Sequence, residues 1–278
     1  MPYHPRRSAL YMPASNARAI DKARALACDV VILDLEDAVA PSMKELARDQ
    51  AVAAARGGGF GSRELVLRVN ALDTEWGTED CHVARDAGFD AVLLPKVSGV
   101  EDLANARAAL GGDGPALWAM IESCVGILAL PHIAAAAAEY RLDCLVAGTN
   151  DLALDMRCTP DATRTPLLGH LAMIVTAARA AHIAALDGVC NVLEDGDVLA
   201  AECAQGAMFG FDGKTLIHPA QIAAANRAFA PAPAALAEAE RIVAAFALPE
   251  NADKGAIRID GQMVERLHLY QAERLLAP

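Results

Sequence analysis

Three carboxylates occupy Asp34-Leu35-Glu36-Asp37, directly after the apolar run Val30-Val31-Ile32-Leu33. Such a run, rich in β-branched residues, reads as a strand buried on both faces of a parallel sheet. Acids at the C-terminal end of that strand sit where α/β folds place their sites. Like charges this close need a cation or strong solvation beside them. Other short apolar runs also end in chemistry: Arg68 in Leu67-Arg68-Val69-Asn70, Lys96 after Leu94-Pro95, Glu122 after Ile121, Asp151 after Asn150, and Asp187. An arginine among aliphatic residues in a buried strand must meet an anion, because its guanidinium does not deprotonate. Taken singly, Glu122 or Asp151 reads as a helix N-cap. Taken together, Glu36, Asp37, Glu122 and Asp151, with Asp187 as a fifth, converge on one rim with Arg68 and Lys96. Hard oxygen donors without His or Cys partners suit Mg2+ or Mn2+ rather than zinc.

Other chemistries find less support. The seven histidines show no HxH or HExxH spacing, and Gly148-Thr149-Asn150 is not a G-x-S-x-G elbow. Ser123 and Cys124 read as packing residues. Arg18 and Lys22 share a helix face at (i, i+4) spacing near its start, which fits an anion site and a solvated surface equally well.

The elements that must position these groups alternate along the chain. Eight short apolar runs (8–12, 30–35, 64–69, 91–95, 116–121, 144–147, 184–187 and 207–212) are separated by helical patterns at 17–27, 43–56, 83–87, 100–110, 127–139, 167–181 and 198–205. Strict alternation predicts a parallel sheet, and eight units predict closure into a (β/α)8 TIM barrel over residues 1–229. An open doubly wound sheet is the rival, but no Gly-rich phosphate loop follows the first strand. Pro231 and Pro233 then break the pattern. A helix at 234–247, a polar link at 249–255, a strand-like piece at 256–259, a turn at Asp260-Gly261 and a last helix at 264–276 follow. Residues 230–278 are too few to fold alone, so they are expected to pack on the barrel or on a neighbouring subunit.

The chain has 278 residues, 54% of them apolar and 4% aromatic, and a net charge of -12. That charge argues against a nucleic-acid surface, and an anionic substrate would need a local cationic pocket. Seven scattered cysteines without CxxC spacing fit reduced cytosolic thiols. The opening MPYHPRRSAL lacks a signal-peptide apolar core, and no apolar stretch is long enough to cross a bilayer. A cytoplasmic enzyme is expected, with neither membrane nor nucleic acid as partner.

Seven segments in order, RRSALYMPASNARAIDKA (6–23), VILDLEDAVAPSMKELAR (31–48), LRVNALDTEWGTED (67–80), VLLPKV (92–97), AMIESCVGI (119–127), AGTNDLALDM (147–156) and GFDGKTLIHPAQI (210–222), make the chain resemble the citrate lyase β-subunit-like and malyl-CoA (citramalyl-CoA) lyase family of the HpcH/HpaI aldolase superfamily. The resemblance implies a (β/α)8 barrel that cleaves or forms a C–C bond beside an acyl-CoA thioester, with Mg2+ as cofactor and coenzyme A as part of the substrate. It implies Glu122 and Asp151 as metal ligands and Arg68 as the residue that holds the 2-oxo-acid end. Glu36 and Asp37 are implied as outer partners through water, and Arg18, Lys22 and Lys96 as basic groups toward the coenzyme. Expected partners are acyl-CoA and 2-oxo acids, and a homotrimer. Alternatives are a malyl-CoA thioesterase, a CoA-independent 2-keto-acid aldolase, and a citrate lyase β subunit that needs partner subunits. Three departures from the family pattern stand out: Ala14 replaces a frequent Gly, Asn150 a Glu, and Glu265 the Asp that reaches a neighbouring subunit's site as a proton donor.

Overall fold

Eight strands follow one another in parallel and each pairs with the next: β1 (Ser8–Pro13), β2 (Val30–Asp34), β3 (Glu64–Arg68), β4 (Ala91–Leu94), β5 (Ala116–Ile121), β6 (Leu142–Ala147), β7 (Ala184–Asp187) and β8 (Gly213–Leu216). β8 returns to β1 through Ser8↔Lys214, Ala9↔Thr215 and Leu10↔Leu216, which closes the sheet into the expected (β/α)8 TIM barrel. This computed structural model describes residues 5–194, 196–251 and 253–276. The expected outer domain limits, residues 1 and 278, lie outside the described residues.

Strand parity explains the packing. In β2, Val30 and Ile32 join Ala9, Val66, Leu93, Trp118, Met120, Val146 and Leu186 in the barrel interior. Val31 and Leu33 point the other way, into the layer between sheet and helices. Both faces are covered, so the strand sequence stays apolar without alternating. The outer layer is built by helices that include Lys44–Gly57, Gly77–Arg85, Val100–Leu110, Cys124–Ala135, Leu168–Ala180 and Gly196–Phe209. At the N-terminal end of the barrel, Arg6 donates to both Glu64 oxygens at 2.7 Å, also reaches Asp143, and stacks on Trp118 with its guanidinium 4.7 Å from the ring centroid.

Two expected elements are corrected. The run 207–212 is not the eighth strand. Residues 207–209 end the helix Gly196–Phe209, with Met208 79% exposed, and the strand is Gly213–Leu216. A short apolar run carries no period that separates strand from buried helix. The true strand, Gly-Lys-Thr-Leu, hides because its Lys214 is buried in an ion pair. The last helix also does not open at residue 264: residues 264 and 265 belong to β10 (Gln262–Glu265), antiparallel to β9 (Ala256–Ile259), and the helix is Arg266–Leu276.

The chain divides into two compact units between Phe229 and Ala230. In the second unit, Phe246, Ile257, Val264 and Leu269 make a small core of their own. Among the described residues no helix is long and apolar enough to cross a membrane.

Closure of the barrel leaves no room at Gly213, where a Cβ would stand 1.9 Å from the Arg6 carbonyl oxygen. Gly213→Ala is expected to cost more than about 3 kcal/mol in chemical denaturation. Gly169→Ala, in a helix position with open space around it, should instead stabilise by about 0.5–1 kcal/mol.

Candidate active site

Asp34 ends β2 and Arg68 ends β3, and the two are register partners. Arg68 donates from Nε to Asp34 Oδ1 at 2.6 Å and from Nη2 to Oδ2 at 2.7 Å, a bidentate pair that is buried on both sides. Two backbone N–H groups also serve Asp34, from Glu36 at 2.9 Å and Ala38 at 3.2 Å, so one carboxylate shapes the turn that carries the other two acids. The third guanidinium nitrogen, Nη1, lies 3.1 Å from Glu36 Oε2 and 3.4 Å from Asp37 Oδ2. Tyr11 of β1 backs the guanidinium, with its ring centroid 4.8 Å from Arg68 Cζ.

A buried ammonium holds the turn from beneath. Lys44 Nζ donates to the carbonyls of Leu35 (2.7 Å) and Glu36 (2.8 Å) and to Asn70 Oδ1 (2.6 Å). Asn70 in turn donates to Asp80 at 2.6 Å, and Asp80 is paired to Arg48 at 2.6 Å. Removing any one member would strand a buried polar group, so the network fixes the loop after β2.

Glu122 follows β5 and is buried. Its Oε1 accepts the Lys96 backbone N–H at 2.6 Å. Lys96 adopts φ +55°, in the left-handed region that costs a non-glycine residue about 1–2 kcal/mol. That backbone aims the N–H at the carboxylate, while Lys96 Nζ pairs with Glu36 Oε1 at 2.9 Å. Gly148 makes space for Glu122, since a Cβ there would stand 2.4 Å from Glu122 Cβ and 2.6 Å from Oε2. Asp151 lies in the first turn of the helix Thr149–Asp155 that Gly148 begins. Burial pushes the Glu122 carboxyl up to about 7. The Lys96 N–H opposes this rise, and the charges of Asp151 and Glu36 add to it.

Tyr11, Asp34, Asp37, Arg68, Met120, Glu122, Gly148, Asn150, Asp151 and Thr215 line one cavity of about 310 Å3. Arg68 and its acids stand on the β2–β3 side, Glu122 and Asp151 on the β5–β6 side. Asp151 has no hydrogen-bond or ion-pair partner among the described residues. No set of three His, Cys, Asp or Glu side chains among those residues forms a metal cage. Glu122 and Asp151 together offer two hard oxygen donors, a donor set that fits Mg2+, which keeps several waters or substrate oxygens when bound.

Asp187 departs from expectation. It is fully buried outside this cavity, with both oxygens on Arg164 Nη1 (2.8 and 2.9 Å) and Oδ2 3.1 Å from Lys214 Nζ. Lys214 also reaches Glu202 at 2.9 Å. Burial alone would raise the Asp187 carboxyl, but Lys214 and Arg164 hold it below its ordinary value. This balanced cluster joins β7 and β8 to the helix Gly196–Phe209. Ser123 is likewise no packing residue: its hydroxyl accepts the Gly126 N–H at 3.0 Å and caps the helix Cys124–Ala135.

Arg18 and Lys22 are exposed on the short helix Ala17–Ala23, and neither they nor Lys96 lines the cavity. Asn150 and Asn191 exchange amide hydrogen bonds of 3.3 and 2.7 Å across the mouth. Glu265 belongs to the C-terminal unit, at the end of β10, where its N–H donates to His268 Nδ1 at 2.9 Å. Sequence reading passed over Tyr11 and Lys44 and left Asp34 out of the site. Parity was the available signal: Ala9, Tyr11 and Pro13 share one face of β1, and Val30, Ile32 and Asp34 one face of β2.

Comparison with known proteins gives consistent results. A family model described as HpcH/HpaI aldolase/citrate lyase matches residues 7–219. A (3S)-malyl-CoA thioesterase of Cereibacter sphaeroides is 46% identical over 276 residues, covering 99% of this chain and 94% of that protein. The citrate lyase subunit beta of Leuconostoc mesenteroides subsp. cremoris is 32% identical over 280 residues, with 98% and 92% covered. A crystal structure of CitE from Mycobacterium tuberculosis in complex with magnesium, acetoacetate and coenzyme A superposes with a TM-score of 0.78 at 29% identity, covering 98% of this chain and 96% of that one.

The Glu122 carboxyl titrates above its unfolded value, so its charge opposes folding. The stabilising protonated form is present at acidic pH and lost as pH rises through about 7. Glu122→Gln in EDTA should therefore match the parent near pH 5. At pH 8.5 it should be more stable by roughly 2–3 kcal/mol, read as a Tm about 5 °C higher. Any stabilisation of the parent by MgCl2 should be lost in the variant.

Proposed function

The chain belongs to the HpcH/HpaI aldolase/citrate lyase family, a family of carbon–carbon-cleaving enzymes, and from that premise we propose a Mg2+-dependent acyl-CoA lyase. Its substrate is a 3-hydroxyacyl-CoA with a carboxylate on the hydroxyl-bearing carbon, of the malyl-CoA or citramalyl-CoA class. The products are acetyl-CoA and glyoxylate or pyruvate, and the same site would run the condensation. The observation that carries this reading is the division of the cavity: two carboxylates with no ion pair among the described residues on one side, and a guanidinium locked by Asp34 on the other.

A divalent ion between Glu122 and Asp151 would supply Lewis-acid polarisation of the substrate's hydroxyl and carboxylate oxygens. This chain's residues do the rest. The Lys96 N–H fixes Glu122 Oε1, and Oε2 lies beside Gly148. Arg68 holds the acid end of the substrate and stabilises charge on the 2-oxo acid as the bond between the hydroxyl-bearing carbon and its CH2 neighbour breaks. The hydroxyl proton passes to a carboxylate or water in the cavity, the O–H pair becomes the new C=O of the 2-oxo acid, and the C–C pair passes to the thioester enolate. A carboxyl group then protonates the CH2 carbon; Glu265, in the C-terminal unit, is the candidate that the resemblance supplies. Glu36 and Asp37 keep Arg68 oriented, and Arg18, Lys22 and Lys96 are basic groups for the coenzyme. The C-terminal unit is assigned to the oligomer.

A second reading is hydrolysis of the thioester, favoured by the 46% identity to the malyl-CoA thioesterase. Product analysis separates the two. Incubation with MgCl2 and (3S)-malyl-CoA or citramalyl-CoA should yield acetyl-CoA and the 2-oxo acid in equal amounts. EDTA or Glu122→Gln should lower the rate at least about 100-fold. Free coenzyme A and the hydroxy acid, without acetyl-CoA, would establish hydrolysis instead. No turnover of any 3-hydroxyacyl-CoA would defeat both.

A further inference from the structure

Tyr11 is a cavity-lining residue whose hydroxyl has no place in the networks described above. Its hydroxyl is closed off from solvent and has no hydrogen-bond partner among the described residues, although the side chain lines the same cavity as Arg68, Asp34 and Glu122. A buried hydroxyl left without a partner is disfavoured, and native proteins satisfy nearly all such groups. Trp118 Nε1 is also unpartnered, but Trp118 is sealed in the barrel interior against Arg6 and does not line the cavity. Tyr11 differs from it in belonging to the lining of a cavity that a ligand can enter.

The ring is also held in place. Tyr11 sits on β1, paired with Ile32 of β2, and its face carries the Arg68 guanidinium that Asp34 chelates. A cation over the ring draws electron density from the phenol and strengthens O–H as a donor. Burial holds the phenol proton well above its ordinary pKa, with the nearby acids adding to the rise and Arg68 opposing it, so the group stays a donor at working pH.

We propose that the Tyr11 hydroxyl is a substrate-contacting group that donates its hydrogen bond to an oxygen of the small 2-oxo acid or acyl moiety held beside Arg68. This rests on the reading of the cavity as a 2-oxo-acid site. It adds to that reading a specificity-determining donor on β1, independent of the metal carboxylates. Arg68 would meet the acid by charge, and Tyr11 would orient it through a single fixed O–H.

Tyr11→Phe removes the hydroxyl and keeps the ring under the guanidinium. Two measurements are made on the full-length protein: isothermal titration with pyruvate and with glyoxylate in MgCl2, and steady-state kinetics with malyl-CoA and citramalyl-CoA. The inference expects an apo Tm at or above the parent's, because an unsatisfied polar atom is gone. It also expects acid binding weakened about 10- to 100-fold, with kcat/KM lowered in the same proportion. An unchanged acid affinity in the variant overturns it, as does a lower apo Tm with unaltered binding, which would mark the hydroxyl as structural. Failure of the parent to bind either acid overturns it too. Weakened acid binding in a parent that turns over no thioester would defeat the lyase reading and leave the Tyr11 assignment standing. Thioester turnover with no Tyr11 effect would do the reverse.

Discussion

The buried pair of Asp34 and Arg68 sets the terms for everything around it. A guanidinium cannot shed its charge, and burying it without an anion would cost several kcal/mol. Register places an acid one strand over at the same level, and both Asp34 oxygens are taken up by Nε and Nη2. Asp34 also accepts two N–H groups of the following turn, so the pair locks Glu36 and Asp37 in reach of Nη1. Lys44 then anchors the same turn through its carbonyls. An unsatisfied charge would unravel this arrangement one group at a time.

The other side of the cavity follows the opposite rule. The charge of Asp151 adds to the rise of the Glu122 carboxyl and that of Arg68 opposes it, yet neither acid forms an ion pair with a side-chain cation among the described residues. Lys96 offers Glu122 a backbone N–H, and does so from a left-handed backbone. Two carboxylates left wanting a cation are a poor choice for stability alone. Under the proposed function a metal ion and an anionic substrate would arrive together, and the attraction by which a chain of net charge -12 would hold an acid would be local.

Asp187 shows how little residue type alone decides. It ends β7 much as Asp34 ends β2, yet it points between sheet and helix, where Arg164 and Lys214 neutralise it and Glu202 balances the count. Inward parity makes one strand-end acid part of a cavity; outward parity makes another part of the fold.

Much of this was legible in the sequence. Continuous apolar runs alternating with amphipathic segments gave seven of the strands in place and the closed α/β architecture, because burial on both faces leaves that signature. Acids and bases at strand ends marked the rim, and the ordered motifs named the family. The eighth strand was hidden because its buried lysine looks like surface until Asp187 and Glu202 are seen beside it. Pairing of Asp34 with Arg68, the exile of Asp187 and the unpartnered hydroxyl of Tyr11 are decided by register and by distances between residues far apart in the chain, and no local pattern encodes those.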